Sequence, residues 1–216
     1  MMTMALAEYS LFAVTSLFVI VDPIAAVPAF LAMTPHDIPA ARVRMARLAC
    51  STAAVVLLIF ALAGRWIFKM LGISLPAFQI AGSAVLFVIA LDMLQARRSK
   101  VRETPEEMAA GEAKDDIAIT PLGVPMLAGP GAISTALILY SQAADLAQRA
   151  ALCASILVVC GASYVILWLS ARGATRLSPL AMKITARLMG LLLAAVAVQF
   201  SINALRTLGV IGEGGP

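Results

Sequence analysis

Residues 9–33 read YSLFAVTSLFVIVDPIAAVPAFLAM, an apolar run with Asp22-Pro23 in its interior and Pro28 one to two turns later. A helix needs roughly 20 apolar residues to cross a bilayer, so the run is long enough to span one. Proline inside a helix removes a hydrogen bond and clashes with the preceding turn. At membrane depth, broken backbone is tolerated only within the protein or beside a water-filled cavity. The run therefore predicts a spanning helix with an internal break.

The rest of the chain has the same apolar character. Of its 216 residues, 62% are apolar and 13% are charged, whereas about a quarter of the residues in a soluble domain are charged. Further apolar runs occupy 46–64, 75–94, 117–144, 150–171 and 188–208. The sequence therefore predicts an all-α, polytopic membrane protein with six transmembrane helices, and it leaves little chain for a soluble catalytic domain.

The cysteine and histidine content argues against several classes of site. Cys50, Cys153 and Cys160 lie in apolar runs without a CxxC pair, and His36 is the single histidine. We therefore expect no disulfide framework, no redox centre, no metal site and no cofactor. An intramembrane enzyme would need a paired nucleophile and base, which the sequence lacks, so we expect no enzymatic activity.

The distribution of basic residues predicts the orientation. Most Lys and Arg residues lie in the loops that follow the first, third and fifth helices. The positive-inside rule places those loops in the cytoplasm and both termini on the opposite side. The net charge of +4 therefore records membrane insertion, and we expect no nucleic-acid partner.

The sequence divides into two halves of three helices each. Residues 95–116 predict a cytoplasmic linker, with a short helix that starts at Thr104-Pro105, between repeats at 1–94 and 117–216. An odd number of helices per half requires any repeat to be inverted across the membrane. The first helix of each half carries a polar-Pro pair, Asp22-Pro23 or Thr120-Pro121, and further helix-breaking prolines follow at Pro28, Pro125 and Pro130. We therefore expect the first and fourth helices to be broken.

Asp22 is the first candidate for a functional side chain. A carboxylate at the bilayer centre costs roughly 2.5–3.5 kcal/mol on insertion scales and by default marks an ion or substrate path. Alternatively, Asp22 caps the half-helix that starts at Pro23. The two roles are compatible.

The second candidate is the sequence Gly129-Pro130-Gly131. A helix beginning there frees backbone N–H donors, and together with the positive end of the helix dipole they favour an anion such as a carboxylate. The expected binding groups are the N–H groups of Gly131, Ala132 and Ile133 and the hydroxyl groups of Ser134 and Thr135. The alternative is a simple kink.

Gln199 and Asn203 share one face of the last helix. These amides either line the path, as further substrate-binding residues, or hydrogen-bond a neighbouring helix.

Residues 116–134, DIAITPLGVPMLAGPGAIS, resemble the MarC family of bacterial inner-membrane proteins, and so do Asp22-Pro23 and the segments 28–31, 187–190 and 197–199. The resemblance implies a six-helix protein of the inner membrane, related to the lysine-exporter superfamily, in which some members look like transporters of glycine, alanine and serine. With the charge distribution, it implies periplasmic termini. Two positions depart from the family pattern: Ala25-Ala26 stands where members usually carry Gly-Asn, and Gly123 stands where an alanine is usual.

These observations predict a secondary transporter that moves small neutral amino acids or similar zwitterionic metabolites by alternating access. Asp22 is expected to face the substrate amine or to carry a coupling proton or sodium ion. The expected partners are the substrate and the lipid bilayer. Small-residue helix faces would permit a homo-oligomer, but nothing in the sequence requires one. The alternative is a non-transporting membrane component that scaffolds or senses envelope stress, in which the broken helices serve packing alone.

Overall fold

The computed structural model describes residues 5–34, 37–94, 118–173 and 179–211. All regular structure in these ranges is helical, so the all-α, polytopic fold is confirmed. The predicted linker at 95–116, including its short helix, lies outside the described residues. In chain order the elements are α1 (Leu6–Val21), α2 (Pro23–Met33), α3 (Pro39–Leu71), α4 (Leu75–Leu94), a π-helix (Ala118–Leu127), α5 (Pro130–Gln142), α6 (Leu146–Gly173) and α7 (Pro179–Thr207).

Four segments are long and apolar enough to cross a membrane: Leu6–Met33, Pro39–Leu71, Leu146–Gly173 and Gly190–Thr207. A shorter apolar helix, Leu75–Leu91, lies within α4. The bounds of α4 coincide with the predicted run at 75–94. In contrast, α3 is longer than the run at 46–64, because its first turns carry arginines that a search for apolar runs excludes.

The first break lies at Asp22, as expected. Asp22 adopts left-handed backbone angles, φ 44° and ψ 63°, which end α1 and let α2 begin at Pro23. The prediction that Pro28 breaks the helix is wrong, because α2 continues through it to Met33. A proline removes only its own N–H from the ladder, and α2 is supported by packing against α6 and α7.

At the second break, an α-helix begins after Gly129, and the segment before it, which contains Thr120-Pro121, is a π-helix. Pro121 and Pro125 thus lie in backbone that departs from a regular α-helix, and the peptide bond between Val124 and Pro125 is cis. The wider turns of the π-helix pair each N–H with the carbonyl five residues earlier, as in the bond from Ala128 N to Gly123 O at 2.8 Å. Pro130, in contrast, is the first residue of α5, where its missing N–H costs nothing.

The helices of the two halves pack in a reciprocal pattern. α3 packs against α6, and α4 packs against α7. The segment before each break packs against the long helix of the other half: α1 against α6, and the π-helix against α3. The half-helices after the breaks follow the same rule, since α2 contacts α6 and α5 contacts α3. Small residues allow these approaches; a Cβ on Gly190 of α7 would lie 2.9 Å from the Ala90 carbonyl oxygen of α4.

A polar side chain forms hydrogen bonds at the C-terminal end of each half-helix. Arg42, buried near the start of α3, donates from Nε and Nη2 to the Thr34 carbonyl at the end of α2, at 3.0 and 2.8 Å. Gln148, buried in the first turn of α6, accepts from the Ala144 N–H beyond the end of α5 at 2.8 Å. Each half-helix is thus joined to the long helix that follows it.

Replacing Arg42 with Ala should lower the free energy of unfolding by about 2–3 kcal/mol, because the buried Thr34 carbonyl loses two charge-assisted bonds. Unfolding titrations in mixed micelles would measure the loss. Arg47 on the same helix is exposed, so Arg47→Ala should change stability by less than about 0.5 kcal/mol. Equal effects from the two variants would contradict this role for Arg42.

Candidate functional site

The first break places a half-helix N-terminus inside the candidate span Leu6–Met33, and the second places one at the start of α5. At a rise of 1.5 Å per residue, Asp22 lies roughly 24 Å from the start of α1 and roughly 17 Å from the end of α2. Pro130 lies roughly 18 Å from the end of α5. The N-terminus of a helix carries the positive end of the dipole and unpaired N–H donors. Both breaks therefore present positive backbone groups, and the first lies in the interior of a candidate membrane span.

Asp22 neutralises the first of these termini. Its Oδ1 accepts from the Ala25 N–H at 3.2 Å, and its own N–H donates to the Phe18 carbonyl at 3.0 Å. The capping role considered from the sequence is thus confirmed. The side chain is exposed, and its Oδ2 has no hydrogen-bond partner among the described residues. One carboxylate oxygen therefore remains available to a cation or an ammonium group.

The N-terminus of α5 has no such cap. Gly129 is the extended N-cap residue and provides no side-chain bond. The Ile133 N–H donates to the Gly129 carbonyl at 3.0 Å, so the expectation that this group is free is wrong. The N–H groups of Gly131 and Ala132 have no hydrogen-bond partner within the described part of the chain. Two donors therefore remain available to an anion.

Side chains from two other helices lie against Gly131. A Cβ added to Gly131 would lie 2.7 Å from Cζ of Phe200 on α7 and 3.3 Å from Cγ2 of Ile20 on α1. Ala132 is buried. Since Ile20 precedes Asp22 by two residues, the break between α1 and α2 adjoins the N-terminus of α5. The last turn of α1 therefore contacts the first turn of α5.

Ser134 and Thr135 differ in their hydrogen bonding. Ser134 Oγ donates to the Pro130 carbonyl at 2.6 Å and accepts from Gln79 Nε2 on α4 at 2.8 Å. Its hydroxyl hydrogen is therefore already used within α5. Thr135 is half-buried, and its hydroxyl has no hydrogen-bond partner among the described residues. Ser134 thus positions α5 against α4, and Thr135 is the freer hydroxyl.

The polar contacts between α4 and the second half continue beyond Gln79. Ser83 Oγ and Ser201 Oγ on α7 lie 2.6 Å apart, and Ser83 also donates to the Ile80 carbonyl. A Cβ on Gly82 would lie 2.8 Å from Cγ of Pro130, so α4 closely supports the start of α5. Sequence reasoning missed Gln79, although it is the single amide in the apolar stretch 75–91.

Gln199 and Asn203 are not joined to the N-terminus of α5 by hydrogen bonds. Both are exposed on α7, and Gln199 Nε2 donates to Asn203 Oδ1 at 2.9 Å. Of the adjacent residues on α7, it is Phe200 that reaches Gly131. The sequence contained no signal for Phe200, because an aromatic side chain in a spanning helix is ordinary.

Replacing Ser134 with Ala should lower the free energy of unfolding by about 1–2 kcal/mol, because the half-buried Gln79 amide loses its partner. Thermal or detergent-induced unfolding would measure this loss. Ser141→Ala is the matched control, since the exposed Ser141 hydroxyl bonds only to the Ile138 carbonyl of its own helix. A Ser134 variant no less stable than the Ser141 variant would show that the contact with Gln79 contributes nothing.

Comparison with known proteins identifies relatives that are integral membrane proteins. The profile of the MarC family integral membrane proteins matches residues 7–208. The chain is 37% identical over 199 residues to UPF0056 membrane protein MJ1677 of Methanocaldococcus jannaschii, which covers 92% of this chain and 97% of that protein. It is 34% identical over 200 residues to UPF0056 membrane protein YvbG of Bacillus subtilis, covering 92% and 90%. No solved structure matches the chain.

Proposed function

The chain belongs to the MarC family of integral membrane proteins, and from this premise we propose that it is a secondary transporter of small neutral amino acids or similar zwitterionic metabolites. The names of its relatives describe membrane proteins and specify no substrate. The groups at the two helix breaks therefore carry the inference of the substrate class.

The main support is the pairing of opposite charges at those breaks. The free N–H groups of Gly131 and Ala132 at the positive end of α5 suit a carboxylate. Asp22 Oδ2 at the adjoining break suits an ammonium group. A zwitterionic amino acid carries both charges on one small molecule, whereas a simple anion or cation would leave one break uncompensated. Asp22 is also the proposed site of a coupling proton or sodium ion.

Alternating access is proposed to use the two halves, 1–94 and 117–216, as inverted repeats. The reciprocal packing of α1 and α2 against α6, and of the π-helix and α5 against α3, supports this proposal. Phe200 and Ile20 lie against Gly131 in this conformation. A substrate is proposed to reach the N–H groups when these two side chains move. We place the protein in the bacterial inner membrane with periplasmic termini, on the basis of the family and the positive-inside rule.

The test is counterflow in proteoliposomes that contain the full chain. Vesicles are loaded with unlabelled glycine, alanine or serine, and entry of the labelled compound is followed. We expect exchange of at least one of these amino acids and none in protein-free vesicles. The absence of exchange by folded, inserted protein would instead support the non-transporting scaffold. One observation favours that alternative. The close contact with Phe200 would by itself require a glycine at position 131, without any role in transport.

A further inference from the structure

A groove of about 340 Å³ lies where the end of α3, the start of α4 and the last turns of α5 meet. Its lining residues come from all three helices: Arg65, Phe68, Leu75, Leu137, Ile138 and Ser141. Along α5, the groove lies roughly 9–15 Å beyond Gly131, at 1.5 Å per residue. It is therefore separate from the candidate site at the start of that helix.

The lining combines one cation with apolar walls. Arg65 is exposed and forms no ion pair or hydrogen bond with any described residue. Ser141 uses its hydrogen in the bond to the Ile138 carbonyl at 2.7 Å, which leaves only its oxygen lone pairs. The other lining residues are hydrocarbon or aromatic, and none of the six is acidic. A matching occupant carries negative charge at one end and apolar surface at the other.

The surroundings place the groove at the level of the lipid headgroups. Trp66 is 65% exposed beside Arg65, and Lys69 follows one turn later, near the end of α3. Near the start of α6, the Arg149 guanidinium lies 5.2 Å from the centre of the Tyr140 ring. Aromatic and basic side chains concentrate at the boundary between membrane and water. A ligand that enters the groove from the side therefore comes from the bilayer.

We propose that this groove binds an anionic phospholipid, with the phosphate on the Arg65 guanidinium and the first part of an acyl chain along Phe68, Leu75 and Ile138. A guanidinium can donate two parallel bonds to a phosphate, which an ammonium group does not. The volume holds the headgroup and the first methylene groups, while the remaining chains lie in the bilayer. The lipid contacts α5 directly, and the proposal does not depend on which substrate the protein transports.

The test compares phosphatidylglycerol with phosphatidylcholine of identical acyl chains, each added to the purified full chain in neutral detergent. Native mass spectrometry counts the retained lipids, and the melting temperature is measured in parallel. We expect the protein to retain phosphatidylglycerol about fivefold better, a ratio that corresponds to one basic contact at the membrane surface. Arg65→Gln should abolish the preference.

Lys69→Gln is the matched control. It also removes one positive charge, but Lys69 lies one helical turn after Arg65 and does not line the groove. We expect this variant to keep the preference. Equal retention of the two lipids by the unmodified protein, or equal losses in the Arg65 and Lys69 variants, would overturn the proposal. A further experiment adds glycerol 3-phosphate, a soluble phosphate, to the complex with phosphatidylglycerol. If it displaces the lipid at millimolar concentration, the groove is a site for free phosphates and the lipid assignment fails.

Discussion

Replacing Asp22 with Asn should reduce counterflow by about tenfold or more while the protein remains folded, because the variant lacks the negative charge proposed to face the substrate amine, and a hydrogen bond to a charged group contributes about 1.5–3 kcal/mol. Asparagine tolerates the left-handed backbone that Asp22 adopts at φ 44°. Its side-chain oxygen can still accept from the Ala25 N–H, so the cap at the start of α2 survives. The substitution therefore removes the negative charge and little else. Initial rates of exchange in proteoliposomes measure the effect.

Asp22→Ala separates the charge from the cap. Alanine loses the bond to Ala25 and is strained in the left-handed region, so we expect the free energy of unfolding to fall by about 2 kcal/mol. The Asn variant should unfold close to the unmodified protein in the same assay. Undiminished exchange by the Asn variant would assign Asp22 to capping alone and would remove it from the transport path.

The second large effect is expected at Gly131, where Leu should abolish exchange. Its side chain would occupy the space of the Phe200 ring, since even a Cβ would lie 2.7 Å from Cζ of Phe200. Overpacking of this kind costs about 1–3 kcal/mol in stability. The substitution also places hydrocarbon over the free N–H groups of Gly131 and Ala132. The melting temperature and the exchange rate should therefore both fall.

The double variant Gly131→Leu, Phe200→Ala distinguishes these two causes. The leucine fills the volume that the ring leaves, so we expect the melting temperature to recover toward that of Phe200→Ala alone. Exchange should not recover, because the donors remain covered. Restored exchange together with restored packing would mean that Gly131 serves only the contact between α5 and α7. In that case the proposed carboxylate site would be lost.

Features that depend on local backbone could be predicted from the sequence. The bounds of α4 and the break at Asp22 follow from apolar length and from an Asp-Pro pair. The prolines were less informative, because a proline shows where an N–H is missing but not whether neighbouring helices hold the turn. Thus α2 continues through Pro28, and the π-helix accommodates Pro121 and Pro125.

Features that depend on contacts between helices could not be predicted from the sequence. The donors at Gly131 and Ala132 follow from one glycine-proline sequence, but the contact of Phe200 with Gly131 requires the packing of α7 on α5. Gln79 meets Ser134 only because α4 lies against α5. Arg42 is one of the basic residues after the first predicted helix, and from the sequence it bears only on orientation, whereas in the structure it is buried and donates to the Thr34 carbonyl.

The hydrogen bonds at the C-terminal end of each half-helix restrict the motion of that half-helix. α5 is held there by Gln148 and by the bond from Tyr9 Oη to the Leu139 carbonyl at 2.9 Å, whereas its N-terminus follows an uncapped glycine. The start of α5 is held as well, by the hydrogen bond from Gln79 to Ser134 and by the close approach of Gly82 on α4 to Pro130. Over a helix roughly 20 Å long, a tilt of about 10° displaces one end by about 3 Å. That distance is close to the length of one hydrogen bond, so even a small tilt of α5 has to break the bond from Gln79 to Ser134.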